Sequence, residues 1–266
     1  MDLKEKAGSL ESSFSETIVA FRGERLIPKK EDQFSKIENG IDDLDSFIEV
    51  HPTPFEREII VNFETMETQS QRIGLKPFAI GKYPITKGQF FRFVRETQYE
   101  PKDTNDYSHR IFLHHWTFNA PPGHKWFHPA TFVSYDDALA YGAHMKGRLP
   151  TYQEWLYAAF GNTKNEYPWG NRFSPDRCNV RETKEMDTTK VGLYSPTGDS
   201  PIGCCDIVGN VWEWTSTPSS DAEEVFVAMG TGWDHYSFQT EILLDRSYRN
   251  RSVGFRVVRD LKQNTI

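Results

Sequence analysis

Between Lys30 and Val50 the apolar residues Phe34, Ile37, Ile41, Leu44 and Ile48 recur at intervals of three and four. That spacing predicts one apolar stripe on a helix ending before His51-Pro52, with an acidic outer face that reads as solvated surface. Met1 to Arg25 is polar and weakly patterned and predicts no firm element. Three further helices are marked by caps. Thr86 with Gln89 opens a helix expected to bury Phe90, Phe91 and Val94, Ser134 opens one burying Ala138 and Tyr141, and Thr151 with Glu154 opens one burying Trp155, Ala158 and Ala159.

Elsewhere the pattern turns to short strands and turns. Phe226 to Met229 and Val253 to Val258 read as strands, and Pro121-Pro122-Gly123, Ser195-Pro196-Thr197-Gly198 and Thr217-Pro218-Ser219-Ser220 carry turn chemistry. The 266 residues suffice for one generous core with a short addition. The expected organisation is an N-terminal extension over 1–65, carrying the amphipathic helix, and one α+β domain over 66–262.

Charge narrows the partners. Lys and Arg number 31 against 38 Asp and Glu, a formal net charge of −7, and no basic stretch or helix face could neutralise a phosphate track. A protein or small-molecule ligand is therefore expected rather than nucleic acid. No apolar run approaches the roughly 18 residues of a membrane span, and Met1 to Ala7 lacks the apolar segment of a signal peptide, so the chain is expected to be cytoplasmic with no membrane partner. Of the three cysteines two are adjacent, Cys204-Cys205, which reads as small buried thiols rather than a disulfide framework.

The densest chemistry lies in Gly203-Cys204-Cys205-Asp206-Ile207-Val208-Gly209-Asn210-Val211-Trp212-Glu213-Trp214-Thr215. Asp206 and Glu213, seven residues apart around a glycine turn, can converge on a point, and exposed carbonyls beside them complete what a hard divalent cation requires. The other reading has Glu213 satisfying backbone donors in a core flanked by Trp212 and Trp214.

This run closely resembles the signature of the formylglycine-generating enzyme and sulfatase-modifying-factor domain family. Pro77 to Thr86, His128-Pro129-Ala130-Thr131-Phe132-Val133-Ser134-Tyr135-Asp136-Asp137-Ala138, Gly147-Arg148-Leu149-Pro150-Thr151-Tyr152-Gln153-Glu154-Trp155, Tyr167-Pro168-Trp169-Gly170-Asn171, Cys178-Asn179-Val180 and Gly254-Phe255-Arg256-Val257-Val258 extend the likeness in order along the chain. The resemblance implies a loop-rich C-type-lectin-like fold. It also implies a structural calcium held by the side chains of Asp206 and Glu213 and the carbonyls of Gly209 and Val211. A second calcium site would match Asn179 and the carbonyl of Val180, with Glu185 or Asp187 as further ligands.

Catalysis is where the chain departs from the family. The formylglycine-generating enzymes bind copper(I) through two cysteines five residues apart, after a Gly-Gly-Ser-aromatic turn, and soft thiolates suit that ion. Here the turn is Gly230-Thr231-Gly232-Trp233, and His235 and Thr240 stand in the two cysteine positions. Copper-dependent formylglycine formation is not expected. The sulfoxide-synthase branch takes iron from a separate helical domain that the residues before the match cannot accommodate, so iron has no placed ligands. His114-His115, His124 and His128 lie close in sequence beside Trp116 and Trp126, but adjacent side chains of an extended segment point to opposite faces, and His109 and His144 add nothing to them.

What remains is a C-terminal recognition surface: Trp233, Asp234, His235, Tyr236 and Phe238, followed by Arg246, Arg249 and Arg251. Aromatic faces and guanidinium forks are the groups enriched at binding sites, and related domains in retroelement-diversified proteins display variable residues there. Two readings stay open, a calcium-stabilised binding domain lacking the copper cysteines and a metal-dependent oxidoreductase of the wider superfamily.

Overall fold

The computed structural model describes residues 40–102, 112–114, 116, 121–220, 224–237 and 240–261. Strands β1 (Phe47–Val50), β2 (Phe55–Asn62), β3 (Glu67–Ile73) and β4 (Phe78–Gly81) precede helices α1 (Lys87–Thr97), α2 (Tyr135–His144) and α3 (Tyr152–Phe160). Strands β5 (Trp212–Pro218), β6 (Val225–Gly230), β7 (Glu241–Asp245), β8 (Val253–Gly254) and β9 (Val258–Asp260) follow. Residues 161–211 carry only two single 3₁₀ turns, Pro175–Arg177 and Arg181–Thr183. Of the family blocks, residues 167–171, 178–180 and most of 203–215 fall in this long loop or at its end.

The three expected caps are present, each as a reciprocal capping box: Thr86 with Gln89, Ser134 with Asp137 and Thr151 with Glu154. Each satisfies two backbone N–H groups that the first helical turn would leave unpaired. In α1 the buried phenylalanines are Phe90 and Phe93, whereas Phe91 and Val94 are half-buried. Ala138 and Tyr141 of α2, and Trp155, Ala158 and Ala159 of α3, are buried as their spacing predicts.

The helix expected to run to Val50 requires correction. Helix persists only through residues 40–42, a turn follows at Asp43 and Leu44, and residues 47–50 form β1. The three-and-four spacing misled because Ile48 faces Ile80 across an antiparallel pair, so its burial comes from a strand partner rather than from Leu44 on the same helix. Phe34 and Ile37 lie outside the described residues.

Three sheets result: antiparallel β1-β4-β9, the hairpin β2-β3, and a four-stranded sheet in the order β7-β6-β5-β8, in which only β5 and β8 run parallel. The four-stranded sheet divides two apolar cores. Along β6, Val227 and Met229 point into one core with Trp155, while Phe226 and Ala228 point into the other with Trp212 and Trp214. Both faces of β5 are therefore covered, and its polar Glu213 and Thr215 are fully buried. Among the described residues no helix is long and apolar enough to cross a membrane.

Candidate functional site

Glu213 leaves β5 into a closed polar network. Its two carboxylate oxygens accept from Arg256 Nε at 2.5 Å and Nη2 at 2.6 Å, and Trp155 Nε1 donates to Oε2 at 2.8 Å. Arg256, itself fully buried, also donates to the carbonyls of Gly81 at 3.2 Å, Lys82 at 3.3 Å and Cys205 at 2.9 Å. A buried carboxylate requires such a partner, since an isolated charge in the interior costs several kcal/mol.

Asp206 is placed differently. Its carboxylate accepts the Gly192 N–H at 2.6 Å, and burial, only partly offset by that bond and by Arg256, pushes its pKa up to about 7. Gly209 has φ +89°, and a Cβ there would meet the Asn179 carbonyl oxygen at 2.2 Å, which is why the turn requires glycine. A hard cation beside Asp206 would neutralise its buried charge, but of the other expected ligands the Gly209 carbonyl already accepts Val211 N at 2.9 Å and Glu213 is committed through both oxygens to Arg256 and Trp155.

The second set presents fewer open oxygens. The carbonyl of Val180 already accepts from Thr183 N at 3.0 Å and Oγ1 at 2.7 Å, and the Asp187 carboxylate is met by the Lys125 ammonium and by Thr188 N at 2.7 Å. Asn179 donates through Nδ2 to the Asp187 carbonyl at 2.8 Å, while its buried Oδ1 has no hydrogen-bond partner. Among the described residues no three His, Cys, Asp or Glu side chains gather as a metal-holding group.

Among the described residues the histidines ahead of α2 form no metal-holding group. His128 is bonded to Thr188 Oγ1 at 3.1 Å, and burial together with the nearby Lys87 and Lys125 lowers its pKa to about 3. His114 and His124 are exposed, His144 lies 3.6 Å from Glu96, and His109 and His115 fall outside the described residues. All three cysteines are free and buried, and burial raises the Cys178 thiol to about 12 and the Cys204 thiol to about 11. These are packing thiols.

The predicted recognition surface separates into two groups. In the first, the Arg251 guanidinium lies 4.6 Å above the buried Trp233 ring, with Nε 3.5 Å from Asp234 Oδ2. Asp234 Oδ1 lies 2.9 Å from His235 Nδ1, and Trp212 Nε1 approaches the same nitrogen at 3.3 Å. Arg181 stacks on the exposed Tyr236 at 5.0 Å, while Phe238 is outside the described residues.

Backbone bonds hold this loop. Trp233 N donates to Asn210 O at 3.2 Å, His235 N to Gly232 O at 2.9 Å, and Arg181 N to His235 O at 3.0 Å. Glu182 Oε1 accepts from both Ser237 N at 3.0 Å and Ser237 Oγ at 2.9 Å. Arg181, Glu182 and Trp212 thus belong to the site although sequence reasoning did not find them. Only the aromatic-basic pairing of Arg181 with Tyr236 carried any signal, and it spans 55 positions.

The second group is the remaining arginines, which are turned toward the N-terminus of α2. Arg246 makes a forked contact with Asp136 at 2.7 to 3.1 Å, and Arg249 donates to Asp137 and Ser134 with its side chain wholly buried. Arg249 is therefore not a groove-facing group: helix α2 requires its charge for Asp137.

The comparisons agree with this architecture. A family model described as the sulfatase-modifying factor enzyme 1-like domain matches residues 33–261. The chain belongs to the sulfatase-modifying-factor family. It is 33% identical over 206 residues to the inactive C-alpha-formylglycine-generating enzyme 2 of Mus musculus, covering 63% of this chain and 67% of that protein. It is 28% identical over 207 residues to the formylglycine-generating enzyme of Mycobacterium tuberculosis, covering 58% and 68%.

Among solved structures, PvdO from Pseudomonas aeruginosa superimposes with a TM-score of 0.63 at 20% identity, over 81% of this chain and 94% of that one. The Treponema denticola variable protein 1 gives 0.62 at 15% identity, over 81% and 95%. The sulfatase-modifying-factor domain thus has the expected C-type-lectin-like fold. In it, the Thr240 hydroxyl donates to the Glu241 carboxylate and His235 is engaged by Asp234, so the two positions expected for copper-binding cysteines carry a hydroxyl and an imidazole.

Proposed function

We propose that this sulfatase-modifying-factor domain binds a protein or small ligand through the surface formed by Trp233, Asp234, His235, Tyr236 and Arg251, and that a calcium ion beside Asp206 stabilises the loops beneath it. The observation that carries the reading is the pairing of Arg251 with Trp233. The ring is buried and fixes the stack, while the arginine side chain is 62% exposed and offers its donors to solvent. A guanidinium held in one orientation suits a carboxylate or carbonyl on the ligand. Arg181 stacked on Tyr236 extends the same wall.

Oxygen activation by copper is not part of this function, because neither hydroxyl nor imidazole replaces a pair of thiolates for copper(I). The relative from Mus musculus that is named inactive accords with a family member of this kind. The direct test is to supply purified protein with copper(I) and a cysteine-bearing peptide. Neither stoichiometric copper uptake nor peptide oxidation is expected, and observing both would overturn the reading. The competing reading is a metal-dependent oxidoreductase of the wider superfamily, whose metal ligands are unplaced.

A further inference from the structure

His235 Nδ1 is approached from two sides by groups with opposite demands. Trp212 Nε1–H can only donate, at 3.3 Å, and an ionised Asp234 Oδ1 can only accept, at 2.9 Å. One nitrogen cannot serve both. A carboxylate facing a bare nitrogen lone pair at that distance would be repelled, whereas an N–H between them makes a short charge-assisted bond. The proton therefore sits on Nδ1, and the lone pair of the neutral ring sits on Nε2, at the opposite edge.

Arg251 Nε, 3.5 Å from the second Asp234 oxygen, holds the carboxylate in this arrangement. The Trp212 N–H, 3.3 Å away, is the weaker, neutral contact and is the one given up. Backbone bonds to Gly232 and Arg181 fix the residue on either side. The His235 side chain is 35% exposed, so part of the ring reaches solvent.

We propose that His235 is a general base on the recognition surface, accepting at Nε2 the proton of an O–H or S–H group on a ligand whose anionic or carbonyl part is oriented by Arg251. Asp234 is the positioning residue. In the transfer the O–H or S–H bond breaks, its electron pair stays on the ligand oxygen or sulfur, and the new N–H forms on Nε2. The resulting imidazolium keeps its Nδ1–H on Asp234, so no oxidant or reductant enters. This activity rests on the ligand-binding reading above, and its test does not require the ligand.

Long-range ¹H–¹⁵N NMR of the full labelled chain at neutral pH reads the tautomer directly. His235 is expected as the Nδ1–H form, and Asp234→Asn is expected to convert it to the Nε2–H form with Trp212 bonded to Nδ1. A wild-type ring in the Nε2–H form overturns the proposal. Diethyl pyrocarbonate gives an independent readout, since a nitrogen lone pair attacks its carbonyl and releases ethanol and carbon dioxide. Mapped by mass spectrometry, His235 is expected to be modified in the wild type and to lose reactivity in Asp234→Asn, where Trp212 would cover its remaining lone pair. Equal rates at His235 in the two proteins would sink the idea. Failure of the copper test or of ligand binding would leave both readouts unchanged, so the two claims fail separately.

Discussion

The guanidinium of Arg249 lies 2.8 Å from the carboxylate of Asp137, and neither side chain is exposed. Asp137 also accepts the backbone N–H of Ser134, the N-cap of α2, at 2.8 Å and the Tyr99 hydroxyl at 2.9 Å. One carboxylate thus ties a helix start, a C-terminal loop and the end of α1 together. Arg251, two positions further on, is mostly in water.

Arg249→Ala leaves Asp137 buried without its counter-charge and is expected to destabilise the fold by about 3–5 kcal/mol. Urea unfolding measures it. Arg249→Met combined with Asp137→Leu should cost less than Arg249→Met alone, because no unpaired charge remains.

Arg251→Ala should change stability by no more than about 0.5 kcal/mol, the usual range for an exposed site. Its effect belongs to binding: a partner recovered with the wild type should be lost at an unchanged melting temperature. A melting temperature that falls as far as that of Arg249→Ala would place Arg251 in the scaffold instead.

Two buried bases predict the pH dependence. Lys87 is 2% exposed, and burial, with Lys125 next in importance, lowers its pKa from 10.5 to about 7. Between those values the unfolded chain holds the extra proton, so stability climbs with pH, by at most about 1.4 kcal/mol per unit. Below pH 7 the penalty is fully present. His128, lowered from 6.5 to about 3, gives a second climb between those two values. Lys87→Met should flatten the alkaline slope and stabilise the protein at pH 7, and His128→Asn should flatten the acid one, both read from urea midpoints across pH.

Calcium should raise the melting temperature and a chelator should reverse the gain. At a hundredfold excess over the dissociation constant, a single site contributes about 2.7 kcal/mol. Asp206→Asn is expected to abolish the response. Asp187→Asn should retain it, since the Lys125 ammonium already faces that carboxylate.

What the sequence made legible was local. The three capping boxes and the burial pattern of α2 and α3 depend on neighbours three or four positions away, and all are present as read. The ordered family blocks likewise identified the lectin-like fold. Residues 47–50 were misread because a partner 28 to 34 positions away, β4, decides their conformation. The arginines look alike in sequence, and only Asp137, 112 positions from Arg249, distinguishes the buried one from the exposed one. Glu213 is a similar case: its spacing suggested a cation ligand, while the group that meets both of its oxygens is Arg256, 43 positions on.

Arg256 lies between β8 and β9, and those strands close two sheets by pairing with β5 and β4. A chain in which Arg256 has not yet reached the sheet would have to bury Glu213 with no positive charge to meet it. The two apolar cores are therefore locked together only once Arg256 is in place, and synthesis arrested before Arg256 should yield a protease-sensitive product rather than a smaller folded domain.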